Sequence, residues 1–295
     1  MNPEKNVRET IAHNFPGLFE RIKLLIEETE SLYDKNIRDS HLWEHSMNVA
    51  AIALRLARKE NTDPLPAVLT ALFHDSGKFM GGDYHENEVP EETASSASAE
   101  QILREFNAPD ILVENIVRSI GALYREGRAR NKITDIVHDA DFLSKSGPLG
   151  IGEFFIKGAL RGENLINRVI NSATKELTYS ENITANMRTG AGRGMAARDR
   201  AFTRKFFVTL FDDLKRKGIT DLTIDEMKVR ADKCSKHLRI VAVSERSCVN
   251  CGRKPVFSTS FETGIKCEKL ILSLNCRVCR KQIRETSFCL PEICN

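Results

Sequence analysis

No run of apolar residues in this chain approaches the roughly 18 that a membrane-spanning helix needs, so no such helix is expected. Charge of one sign is also scarce. Lysine and arginine total 44 against 41 aspartates and glutamates, a net of +3. That is too little on its own to imply a nucleic-acid partner. The N-terminal MNPEKNVRETIAHNF is charged and lacks the apolar stretch of a signal peptide. The expectation is a soluble, cytoplasmic protein. No internal repeat is visible. Cysteine is missing from the first 233 residues; Cys234 stands alone. The other seven, Cys248, Cys251, Cys267, Cys276, Cys279, Cys289 and Cys294, all fall in the last 48 residues. Such crowding, in a chain without an export signal, favours metal over disulfides.

What is present is enough for a large core, since 41% of the 295 residues are hydrophobic. From Pro3 to about Leu238 the pattern reads as helical. Leu18, Ile22, Leu25 and Ile26 follow the spacing of a buried helix stripe. Ser40 is a plausible N-cap for the next helix, and further apolar stretches run over 111–120, 133–143 and 202–214. The Arg- and Gly-rich stretch MRTGAGRGMAARDRAFTR, 187–204, reads as partly loop. Beyond Val243 the texture changes to alternation around Val256–Phe261 and a second strand at Lys269–Leu274. The expected fold is mainly α, with a small β unit at the cysteine-rich end.

Three elements in the helical part carry chemistry. In SHLWEH, His41 and His45 are four apart and share one helix face. In ALFHDSGK, His74 and Asp75 stand at the end of an apolar helix. In HDADFLSKSGPLGIG, Asp139 and Asp141 lie in a third helical segment. Each is weak alone. Together they make an H…HD…D set, whose mixed imidazole and carboxylate groups suit a metal ion that keeps positions open for water and substrate.

These three motifs resemble the signature of the HD-domain metal-dependent phosphohydrolases, over roughly residues 38–218. The resemblance says nothing of the first 37 residues or the cysteine-rich end; with the boundary that the cysteine cluster sets near residue 245, the expected parts are a helical N-terminal extension over 1–37, an all-helical HD domain over 38–245 and a cysteine-rich domain over 246–295. The resemblance implies His45, His74, Asp75 and Asp141 as ligands of a divalent ion: Mn, Co, Ni, Fe or Mg. The family's late aspartate precedes a hydrophobic residue, which favours Asp141 with Phe142 and Leu143 over Asp139; Asp139 would then fix a helix end. His41 would face substrate, and Lys78 and Arg125 are candidate phosphate contacts, with a solvated surface lysine the other reading of Lys78. Asp75 is the residue on which catalysis most depends. Many such enzymes carry further histidines for a second ion. Here Glu91-Glu92 and Leu123-Tyr124 stand in those places, which argues against a conventional two-metal site. Glu91-Glu92 reads as the acidic first turn of a helix.

The implied reaction is hydrolysis of a phosphoester or phosphoanhydride, of a nucleotide by class. A nucleic-acid-binding protein that senses a nucleotide and an HD-type di-iron oxygenase are the alternatives. At the far end, Cys248-Val-Asn-Cys251 and Cys276-Arg-Val-Cys279 are two C-x-x-C knuckles 24 residues apart. They look like a zinc ribbon holding one structural zinc. Residues 246–295 carry nine Lys or Arg against four Asp or Glu, so the ribbon is a candidate nucleic-acid contact, with a protein-docking or dimerisation module bearing a solvated basic face as the other reading.

Overall fold

The computed structural model describes residues 3–33, 39–80, 90–123, 131–230, 237–245, 247–248, 250–253, 257–263, 269–276 and 278–289. The chain forms two compact units, one of residues 1–144 with 187–193, the other of 145–186 with 194–295.

The first unit holds α1 (Pro3–Ala12), α2 (Leu18–Tyr33), α3 (His41–Lys59), α4 (Pro64–Phe73), α5 (Glu91–Glu105), α6 (Asp110–Ala122) and α7 (Lys132–Ser144). Its centre is α3, packed against α4 and α7. Small residues on α3, Ala50, Ala53 and Ala57, are fully buried and let its neighbours approach closely. Every residue of α4 from Ala67 to Phe73 is buried, and so is every residue of α7 from Ile136 to Ser144. Ser40 caps α3, its hydroxyl accepting from the Trp43 amide at 2.9 Å. Helix α5 ends at Asn107, whose φ of 54° is left-handed. There the Ala108 amide reaches back to the Leu103 carbonyl at 3.0 Å, which closes the carbonyl end of the helix.

The second unit begins with α8 (Gly147–Leu160) and α9 (Leu165–Asn186), and takes most of α10 (Gly190–Arg216). Of stretch 187–204, only residues 187–189 lie outside a helix, and from Gly190 on it is helical. Alanine, arginine and methionine between the glycines are good helix formers, and Gly192 answers a packing need: a Cβ there would stand 2.2 Å from Asp139 Oδ2. The helical reading also fails at its C-terminal end, where β1 (Leu222–Arg230) and β2 (His237–Glu245) form an antiparallel hairpin. From Ile240 to Ser244, β2 is buried on both faces, while Asp225, Glu226 and Lys228 of β1 are exposed. Leu222, Ile224, Val241 and Val243 pack on Val169, Leu177, Phe207 and Phe211 of the helices. Met227, Val229, Leu238, Ile240 and Ala242 face Leu272, Leu274 and Phe288. A strand buried on both sides shows no polar alternation to read.

Those last residues belong to the second sheet, β3 (Phe257–Thr263), β4 (Lys269–Cys276) and β5 (Gln282–Cys289), antiparallel in that order. The cysteine-rich segment thus does not stand alone; its sheet completes an apolar layer with the hairpin.

The outer edge of β2 is met by a helix. Thr178 Oγ1 accepts from the Val241 amide at 3.0 Å, Thr174 Oγ1 from the Val243 amide at 3.0 Å, and Asn182 Oδ1 from the Arg239 amide at 3.0 Å. Asn182 Nδ2 returns a bond to the Arg239 carbonyl at 2.9 Å. The match is metrical. Four helix residues advance about 6 Å, and two strand residues about 6.6 Å. A polar stripe at i, i+4, i+8 on α9 therefore serves every second amide of β2, as a neighbouring strand would.

Candidate metal centre and cysteine cluster

The three most deeply packed helices each bring a ligand to one place. His45 sits in the second turn of α3, His74 and Asp75 follow the last residue of α4, and Asp141 projects from α7. His45 Nε2 lies 3.3 Å from Asp141 Oδ1 and 3.7 Å from Asp75 Oδ2. His74 Nε2 lies 3.5 Å from Asp75 Oδ1 and 3.9 Å from Asp141 Oδ1. Nitrogen and oxygen ligands about 2.1 Å from a shared ion stand roughly 3 to 3.5 Å apart; His45, His74 and Asp141 each bring one such atom within 4.8 Å of the others, and Asp75 adjoins them through a different oxygen to each histidine.

The donor chemistry agrees. His74 Nδ1 sits 2.7 Å from the Ala71 carbonyl, so the ring proton belongs on Nδ1 and Nε2 presents its lone pair. That nitrogen is buried and has no hydrogen-bond partner among the described residues, a condition that a bound cation would relieve. Burial pushes the His74 imidazole down, outweighing the pull of Asp75 and Asp141 in the other direction. The neutral imidazole is the form that binds metal. Burial pushes the Asp75 carboxyl up, but His74, Lys78 and His45 together outweigh it and hold it well below the usual carboxylate range.

The odd ending of α4 has a steric cause. After His74-Asp75 the chain turns at once, with Lys78 N bonded to the Asp75 carbonyl at 3.0 Å and Met80 N to Gly77 O at 3.2 Å. Gly77 lies against the start of α5. A Cβ on it would stand 2.5 Å from Ser95 N and 2.7 Å from Glu91 O, so only glycine fits. Its amide donates to Ser95 Oγ at 2.8 Å. Glu91 and Glu92 open α5 in its acidic first turn.

Other sequence candidates fall out as follows. Asp139 does not join the four; its carboxylate accepts from the amides of Arg188 and Thr189 and from Thr189 Oγ1, all at 2.8 Å, and lies 3.1 Å from His138 Nδ1. It fixes the turn that opens α10. His41 is the first residue of α3 and is exposed. Lys78 Nζ pairs with Asp75 Oδ2 at 3.2 Å. Arg125, Tyr124, Cys234, Cys267 and Cys294 lie outside the described residues, and Cys289 is the last residue of β5.

Sequence reasoning missed Glu30. This buried residue of α2 accepts from the Leu42 amide at 3.1 Å and from the Ser40 hydroxyl. It anchors the first turn of α3, which presents His41 and His45. Trp43 of the same motif packs edge-on against Phe19 of α2 at 5.3 Å. Nothing in a glutamate ten residues upstream marks it in the sequence; only the packing of α2 on α3 does.

In the second unit, Cys248, Cys251, Cys276 and Cys279 converge, with their sulfurs all within 4.8 Å of one another. Cys248 Sγ is 3.8 Å from Cys279 Sγ, and Cys251 Sγ is 3.9 Å from Cys276 Sγ. A sulfur tetrahedron with bonds of about 2.3 Å has edges of about 3.8 Å, whereas a disulfide needs about 2.05 Å. The two knuckles share one backbone design. Gly252 N bonds Cys248 O at 2.7 Å and Arg280 N bonds Cys276 O at 2.8 Å. The residue after each second cysteine has positive φ, Gly252 at 67° and Arg280 at 59°.

Residues 42–145 match the HD domain family. No curated protein matches the chain in sequence. Among solved structures, an HD-superfamily hydrolase of Bacillus thuringiensis is 20% identical, with 67% of this chain and 98% of that one covered at a TM-score of 0.50. YpgQ of Bacillus subtilis, solved in complex with ADP, is 19% identical over 66% of this chain and 96% of its own, at 0.48. An HD-superfamily hydrolase from an uncultured Thermotogales bacterium is 17% identical over 65% and 91%, at 0.48. Residues 42–145 are therefore similar to the HD domain, and the likeness to the solved structures shows a shared fold.

Proposed function

We propose that the protein hydrolyses a phosphoester or phosphoanhydride of a nucleotide at the His45, His74, Asp75 and Asp141 site. The observation that carries the reading is the convergence of these four side chains, with the buried His74 Nε2 lone pair aimed among them. A divalent ion held there supplies Lewis acidity toward a phosphoryl oxygen and lowers the pKa of bound water. The chain's own residues do the rest. The Ala71 carbonyl holds the His74 tautomer. Lys78, already within 3.2 Å of Asp75, offers a positive charge to the non-bridging oxygens. His41, one turn before His45 on the same helix face and exposed, would meet the substrate.

Mn, Co, Ni, Fe and Mg, each offered with nucleotides and simple phosphoesters and read by phosphate or pyrophosphate release, test the proposal. Asp75→Asn is expected to lose bound metal and at least a hundredfold in turnover, with far-UV circular dichroism unchanged. Wild-type turnover of that variant at fixed metal would show the site to be misassigned. One observation favours a second reading. Arg253, Arg280 and Lys281 are exposed at the knuckles, which suits a nucleotide-sensing protein that binds nucleic acid. Salt-dependent binding of nucleic acid with no hydrolysis in any metal would select it.

A further inference from the structure

The outward face of α8 is apolar and uncovered. Leu149, Ile156 and Leu160 are 39%, 53% and 69% exposed. At about 100° per residue they fall within about 40° of one another, a single stripe along the helix. Exposed Gly152 and Ala159 lie along one flank of it. Glu153 and Lys157, paired at 3.0 Å, line the other. The first flank continues onto α10. Ser146 Oγ meets Asp199 Oδ2 at 2.7 Å, and the Phe155 and Phe206 rings lie 6.0 Å apart, so the two helices run side by side in one direction. Phe202, one turn before Phe206, is 45% exposed.

Helix α8 holds four glycines, and three of them answer to the chain's own packing. A Cβ would stand 2.7 Å from Asp199 Oδ1 at Gly147, 2.4 Å from the Lys145 carbonyl oxygen at Gly150 and 2.6 Å from Arg168 Cδ at Gly158. At Gly152 it would meet nothing within 4 Å. Glycine is a poor helix former, and no contact within the chain calls for this one.

The stripe is complementary to itself. With two copies of α8 antiparallel and Leu149 against Leu160 of the second copy, Glu153 stands about 1.5 Å along the axis from the level of Lys157 of the second copy, on the same edge. Gly152 stands equally close to the level of Ile156 of the second copy, whose side chain takes the room that the missing Cβ leaves. The 14 residues of α8 span about 21 Å, and α10 widens the face by the 8–10 Å or so of packed helices. Two such faces would bury on the order of 1,000 Å², the lower end for a specific interface.

We infer that the protein forms a two-fold symmetric, dissociable homodimer through α8, with Phe202 of α10 at its margin. Sedimentation velocity of the full chain over about 1 to 100 µM covers the dissociation range expected of so small a face. The wild type should pass from monomer to dimer. Ile156→Lys alters an exposed side chain, so circular dichroism and melting temperature should hold while association weakens about tenfold or more. Gly152→Leu, which fills space open in the single chain, should do the same. So should Glu153→Lys and Lys157→Glu singly, because each sets like charges across the two-fold axis. An equimolar mixture of those two variants should recover a heterodimer of near wild-type strength, since opposite charges then face each other. A salt bridge serving only its own helix cannot give that recovery. A wild type that stays monomeric throughout, an Ile156→Lys protein that dimerises as well as wild type, or a charge-swapped mixture that stays apart overturns the proposal.

Discussion

Two aspartates separated by one residue on α7 have opposite fates, and the cause is the helix itself. Successive residues point about 100° apart, so Asp139 and Asp141 differ by about 200° and face nearly opposite sides. Asp141 meets His45 and His74, while Asp139 meets the amides of Arg188 and Thr189. Titration separates carboxylates in the same way. Burial pushes Glu176 of α9 up to about 7, while Lys157, Arg168 and Lys175 pull it down less strongly. The folded protein thus keeps a proton that the unfolded chain, with an ordinary value of 4.5, gives up sooner. Stability from this group is greatest below the unfolded value and falls as pH rises from about 4.5 through about 7. Glu176→Gln, which cannot ionise, should raise the melting temperature by a few degrees at about pH 8 and leave it nearly unchanged at about pH 4. Equal shifts at both values would place the effect in packing instead of charge.

Elements were legible in the sequence where one of their faces is wet. The stripe Leu18, Ile22, Ile26 marks α2 because residues between it are exposed, and the Ser40 cap is written in the residue itself. Strand β2 was hidden because both its faces are covered. So was the reason for Thr174, Thr178 and Asn182, whose four-residue spacing reads as an ordinary polar helix face until β2 is placed beside it. The site followed the same rule. Its candidate ligands stand out as motif residues, but Glu30, Ser95 and the Arg188–Thr189 turn act across long chain separations and carry no local mark. The ladder predicts its own energetics. Thr178→Val keeps the shape but strands the buried Val241 amide, which should cost about 1–3 kcal/mol. Thr178→Ser should recover most of it. Urea unfolding of the two variants checks this, and equal midpoints for both would mean the helix hydroxyl is not what satisfies β2.

At the largest scale the second unit is layered: helices, then the hairpin, then the three-stranded sheet held by the cysteine cluster. The hairpin supplies apolar residues to both layers, so the sheet is structural cover as well as a zinc-ribbon-like module. A small sheet contributes little core of its own, and a metal held by the cysteines would supply folding energy. The four cysteines should hold one zinc ion, and that zinc should persist in Asp75→Asn because the two sites share no ligand. Removing it by chelation, or through Cys251→Ser with Cys276→Ser, should release β3–β5 and expose Leu238, Ile240, Ala242, Leu272, Leu274 and Phe288. Binding of an apolar dye should rise, and amides of β4 should lose hydrogen-exchange protection. Truncation before residue 246 should give the same dye signal from β2 alone, since Leu238 and Ile240 then lose their cover. A zinc-free protein with full β4 protection and no dye binding would mean that the apolar layer, not the metal, holds this sheet.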